Sequence, residues 1–148
     1  MDIWSIASGS SGNAYLARAG GATVLLECGI SMSRITTFLK RQGISPYDLT
    51  GIMLTHDHSD HTRSARQISD TYGVPIFATP GTLGCAALKD AAHARPIEAE
   101  KPFKVGDLEA WVVQRHPPRV GGTSAPLDSR LRPAPSAPGH RSLLQQTR

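Results

Sequence analysis

A mixed α/β (α+β) domain followed by a disordered C-terminal tail is the fold class this sequence predicts, on three observations. Short apolar runs separated by Gly-rich turns fill residues 3–26, and from residue 31 onward helical and extended periodicities alternate. Of 148 residues, 39% are apolar and 19% charged, which suits one soluble domain with a core of its own and is short for two. Beyond residue 116 the aromatic residues stop: residues 117–148 contain no Phe, Trp or Tyr, and 13 of those 32 are Pro, Gly or Ser. Such a segment buries too little apolar surface to offset its chain entropy.

Strands are expected at Ile3–Ala7, Ala14–Ala17 and Ala22–Leu26, the last two joined by Gly20-Gly21. Met32, Ile35, Phe38 and Leu39 share one face of a helix over Ser31–Gln42, with Ser31 or Ser33 as N-cap and Gly43 just past its end. Gly51–Leu54, apolar on both faces, reads as a central buried strand, and Ala65, Ile68 and Tyr72 mark a helix after it. Val74–Ala78 follows as a strand, Thr82–Ala92 as a helix behind Pro80, Ile97–Ala99 as a short strand and Leu108–Val113 as an alternating one. Residues 1–116 thus form the domain and 117–148 a tail that is disordered or non-native, its Arg/Pro/Ala/Gly/Ser text resembling a GC-rich gene read out of frame.

The net charge of +4 belongs to that tail. Residues 1–116 hold 11 basic and 11 acidic side chains, whereas residues 117–148 hold five arginines and one aspartate. An Arg-dotted arm touching phosphates is a reading confined to the tail. No run approaches the ~18 apolar residues that cross a bilayer, so no membrane partner is expected. The N-terminus lacks a basic segment followed by an apolar one, and Cys28 and Cys85 are isolated, so a cytoplasmic location and free thiols are expected.

Chemistry concentrates in Thr55-His56-Asp57-His58-Ser59-Asp60-His61, which lies between the Gly51–Leu54 strand and the next helix. Imidazole nitrogen and carboxylate oxygen suit zinc and related divalent ions, and a loop lets side chains two residues apart converge on one ion. His56 and His58 would hold one metal, with Asp60 and His61 facing a neighbouring position about 3.5–4 Å away, as in two-metal hydrolytic sites. Structural zinc sites favour thiolates and full protein ligation, which this loop does not offer.

The spacing His56-x-His58-x-Asp60-His61 after an apolar strand resembles the metallo-β-lactamase superfamily, supported by Ser8–Asn13 (SGSSGN), Leu25–Ser31 (LLECGIS) and Val74–Thr82 (VPIFATPGT). The combination resembles the branch of small bacterial hydrolases that includes exonucleases and phosphodiesterases, and the resemblance runs from residue 1 to about residue 116. It implies the N-terminal half of an αββα sandwich, with His56 and His58 on a first metal and Asp60 and His61 on a second. It also gives Asp60 a catalytic role in orienting the attacking water. Two Zn2+ per intact site, or Mn2+, are implied, together with a metal-activated hydroxide acting on phosphodiester or nucleic-acid substrates.

Departures from the family pattern accompany the match. Glu27 stands where the family has an Asp that braces the metal loop. His116 stands in order for the third ligand of the first metal, but its flanks, Arg115 and Pro117, are unlike the family's. Asp128 and His140 follow no apolar strand and are not assigned to the later family motifs. Ser10, Ser11 and Asn13 are expected at the site edge. The alternative function is a catalytically incompetent metal-binding fragment.

Overall fold

The computed structural model describes residues 1–114 and 127–133. It places six strands in one sheet in the order β1 (Asp2–Ala7), β2 (Ala14–Ala19), β3 (Ala22–Cys28), β4 (Gly51–Met53), β5 (Ile76–Ala78) and β6 (Ala94–Pro96). The first three are antiparallel, and β3 to β6 run parallel to one another. A second, antiparallel sheet contains β7 (Phe103–Val105), β8 (Leu108–Gln114) and β9 (Leu127–Pro133).

Alternation along β3 explains the layering. Leu25 faces the helices and packs with Leu16, Ile52 and Ile76 against Ile35 and Leu39 of α1 (Met32–Arg41) and Ala65 and Ile68 of α3 (Ala65–Tyr72). Ala22 and Val24 face the other way and meet Val105, Leu108, Ala110 and Val112 of the second sheet, with Met53 beside them. Helices, first sheet and second sheet therefore form three layers, and β3 and β4 in the middle layer are buried because both of their faces are covered.

The expected helix at residues 31–42 is α1, with Ser31 as N-cap. It ends in a Schellman turn: Gly43 N donates to Lys40 O (3.1 Å), Ile44 N to Leu39 O (2.9 Å), and Gly43 takes φ 68°. Two expectations are corrected. The helix expected over Thr82–Ala92 is a single turn, α4 (Pro80–Leu83); Gly81 and Gly84 weaken helix propagation there, and Asp90 adopts φ 64°. The strand expected at Ile97–Ala99 forms three residues earlier, at Ala94–Pro96, where pairing with Ile76–Ala78 of β5 sets the register. Leu127–Pro133, placed in the tail by composition, pairs along β8 from Leu108↔Pro133 to Gln114↔Leu127. The β8 edge supplies backbone partners whatever the side chains of the added strand. Residues 115–126 and 134–148, with His116 and His140, lie outside the described residues. No helix among the described residues is long and apolar enough to cross a membrane.

One close approach ties the sheet to the histidine loop. A Cβ on Gly29 would lie only 1.5 Å from the Asp60 carbonyl oxygen, so no side chain fits. Gly29→Ala is expected to cost about 3 kcal/mol or more by forcing backbone apart, read as a melting temperature lowered by about 10 °C in thermal denaturation. An unchanged melting temperature would show that the two segments are not in contact.

Candidate metal centre

The motif follows β4, which ends at Met53, crosses a short loop, and enters α2 (Ser59–Thr62), a single helical turn that begins inside it. The turn is tied to the end of β3 and to the Ser8–Asn13 loop. Asn13 N donates to Asp60 O (2.8 Å), Gly29 N donates to Asn13 O (2.8 Å), and Ser64 donates through both N and Oγ to Cys28 O (3.0 and 3.3 Å).

These ties bring the three imidazoles together. The His56 and His61 ring centroids are 3.9 Å apart and those of His56 and His58 are 4.7 Å apart. His58 is exposed, whereas His56, Asp60 and His61 are half-buried. His61 Nε2 lies 3.3 Å from Asp60 Oδ2. Two donors on one tetrahedral zinc, at bond lengths of ~2.0–2.1 Å, would be about 3.3–3.4 Å apart, so this pair is spaced as the edge of a coordination shell.

Glu27 is the buried centre of the arrangement. It occupies a β-bulge: Ala14 pairs with Cys28 and Tyr15 with Leu26, which leaves Glu27 without a partner across the strand. Its φ of 61° lies in the left-handed region, at a cost of about 1–2 kcal/mol for a residue with a Cβ. The bulge re-aims the carboxylate into the histidine loop. Oε1 accepts from Thr55 Oγ1 (2.5 Å) and Thr55 N (3.2 Å), while Oε2 sits 3.3 Å from His61 Nδ1.

The tautomers follow. Thr55 Oγ1 has one hydrogen, which goes to the Glu27 carboxylate, so the 2.8 Å contact between Thr55 Oγ1 and His56 Nδ1 is donated by the imidazole. His56 Nε2 is then bare. The Glu27 Oε2 and His61 Nδ1 atoms are buried 3.3 Å from each other, and neither has another polar partner among the described residues. Their proximity favours a proton on Nδ1 and leaves His61 Nε2 unprotonated, beside Asp60 and the Asn13 amide.

Glu27, His56 and His61 offer ligand atoms within 4.8 Å of one another. Of the Glu27 oxygens, Oε1 is held by Thr55 and Oε2 faces the Nδ1 side of His61. The donor set fits divalent metal, with two bare imidazole nitrogens, a third imidazole alongside and a carboxylate spaced to share an ion.

Asn13 also reaches the centre. Its Oδ1 accepts from Gly9 N (3.2 Å) and its Nδ2 donates to Gly9 O (3.2 Å), which fixes the orientation of the amide. Nδ2 lies 3.4 Å from Asp60 Oδ2 and 3.3 Å from His61 Nε2. Ser10 and Ser11 are exposed at the loop tip and make no side-chain hydrogen bond among the described residues. Thr55, Gly29 and Ser64 were not singled out from sequence. For Thr55 the available signal was its place immediately before His56.

The electrostatics divide the histidines. The Glu27 carboxylate raises the pKa of His61 above its usual value, outweighing burial, and Asp60 adds to the effect. Burial, then the charge of His61, lower that of His56. In the metal-free chain a raised His61 stabilises the fold below its ordinary pKa, and that contribution is lost as pH rises through the raised value. Protons compete with divalent ions for Nε2, so zinc affinity, measured against a chromophoric chelator from pH 5 to 8, is expected to fall as pH drops through the raised His61 value. In Glu27→Gln the fall is expected at lower pH; a midpoint that stays put or moves up would remove Glu27 from this role.

The family model for the metallo-beta-lactamase superfamily matches residues 7–133. Exodeoxyribonuclease WalJ of Streptococcus pneumoniae is 35% identical over 108 residues, covering 72% of this chain and 39% of that protein. Ribonuclease TTHA0252 of Thermus thermophilus is 33% identical over 120 residues, covering 66% of this chain and 28% of that protein. The chain therefore spans well under half the length of these relatives. Among solved structures, the Rm3 metallo-beta-lactamase superposes with a TM-score of 0.68 at 16% identity, covering 93% of this chain and 55% of its own, a likeness of fold. Motif, layering and family match agree, and the chain belongs to the metallo-beta-lactamase superfamily.

Proposed function

We propose that the chain supports metal-dependent hydrolysis of phosphodiesters in nucleic acid. The observation that carries the reading is the Glu27-centred arrangement, which leaves Nε2 of both His56 and His61 bare and sets Asp60 beside the second of them. The nucleic-acid substrate is supported by what the names of the similar proteins state, an exodeoxyribonuclease and a ribonuclease.

In this reading His56 and His58 hold a first divalent ion and Asp60 and His61 a second, zinc or manganese by their mixed nitrogen and oxygen chemistry. His116, beyond the described residues, is proposed as a further ligand of the first. Bound ions would supply Lewis acidity and an acidified water. The protein's own groups do the positioning: Glu27 sets both tautomers, Thr55 transmits the first of them, and the Asp60 carboxylate orients the attacking water. The Asn13 amide donor is held at the same edge.

Two measurements test the reading. After dialysis the chain is expected to retain about two metal ions, by atomic emission, and to hydrolyse bis(p-nitrophenyl) phosphate. His58→Ala, an exposed position, is expected to keep the fold, lose one ion and reduce turnover at least about a hundredfold. Retention of one ion or none, without turnover, would sink the hydrolase reading and leave the metal-binding fragment in its place.

A further inference from the structure

A second feature lies beside β1, the strand that leads into the Ser8–Asn13 loop. Arg34, Thr37, Phe38 and Arg41 fall at positions i, i+3, i+4 and i+7 of α1, on one face of the helix. With Ser33 and with Ile6 of β1 they line an open cavity of about 330 Å³. Ile6 precedes Ser8 by two residues, and Asn13 at the far end of that loop contacts Asp60 and His61. The cavity and the histidine centre thus flank one loop.

Charge identifies what the cavity suits. α1 carries Arg34, Lys40 and Arg41 and no acidic residue. None of the three forms an ion pair among the described residues, although other exposed cations do, Arg66 with Asp70 and Lys101 with Glu98. Ser33 and Thr37 add hydroxyl groups to the same lining, and Ile6 and Phe38 add apolar surface. Arg34 and Arg41 are separated by about 10 Å of helix axis at 1.5 Å per residue, farther than one phosphate spans. A single small anion would engage one end; a chain of phosphates engages both.

We propose that this face of α1 is a docking track for the phosphodiester backbone of a nucleic-acid strand, holding phosphates that are not cleaved. The proposal deepens the hydrolase reading and rests on its substrate class. It also places a nucleic-acid surface on a domain whose net charge to residue 116 is zero, because α1 carries three cations and no acidic residue.

The test is binding without chemistry. A fluorescein-labelled 20-nucleotide single-stranded DNA is titrated with the full chain in EDTA at several salt concentrations, followed by anisotropy. Arg34→Ala with Arg41→Ala is expected to weaken binding about tenfold or more and to reduce the slope of log affinity against log salt by about 1.4, at ~0.7 for each lost phosphate contact. Hydrolysis of bis(p-nitrophenyl) phosphate, which has one phosphate, is expected to be unchanged. Arg34→Lys with Arg41→Lys is expected to restore most of the salt slope. Unchanged DNA affinity and slope in the double Ala variant would overturn the proposal, as would thymidine monophosphate binding as tightly as the DNA. A wild-type chain that binds DNA through these arginines but cleaves no phosphodiester would sink the hydrolase reading alone.

Discussion

The end of β3 is the constraint on which the candidate centre depends. Three consecutive residues there each hold a different part of the histidine loop. Glu27 takes Thr55 and His61 through its carboxylate, the Cys28 carbonyl takes Ser64, and Gly29 gives way to the Asp60 backbone. Because β3 lies inside the larger sheet, between β2 and β4, it cannot shift to relieve any one of these contacts without disturbing its pairing. The positive φ at Glu27 is the local cost of that geometry, and the bulge is its means.

Position in the layers explains why this strand carries the load. Its own side chains are apolar on both faces, Leu25 toward the helices and Val24 toward the second sheet, so packing fixes β3 before any polar contact is considered. A polar network at the rim of such a strand is preorganised, since the side chains that orient the imidazoles rest on elements with little freedom to move. The desolvation that raises the Cys28 thiol pKa arises in the same setting: it is a packed core residue beside the Glu27 carboxylate, and its thiol has no part in the chemistry proposed.

The longer side chain at position 27 is accommodated rather than merely tolerated. A Glu reaches one methylene further than an Asp, and the bulge draws the backbone so that one oxygen meets Thr55 and the other meets His61. One carboxylate thereby governs two rings from their Nδ1 sides. Behind them, the buried Glu27 anion favours the protonated form of His61.

Much of this was legible in the sequence, and the rest was hidden for identifiable reasons. Periodicity located α1 and its Schellman end, the buried strand β4 and the loop holding His56, His58, Asp60 and His61, because each is decided by contacts within a few residues. The single-turn α4, the displaced β6 and the pairing of Leu127–Pro133 on β8 were not legible, because glycine-weakened helices and strand registers are settled by distant partners. The sequence by itself determined the ligand chemistry and its spacing. Only the tertiary structure decided that Thr55 relays Glu27 to His56, that Asn13 faces Asp60, and that Ile6 meets Arg34 across a cavity. Those contacts join residues as much as 47 positions apart, as Asn13 and Asp60 are, and the packing of the layers, not local propensity, sets what meets across such distances.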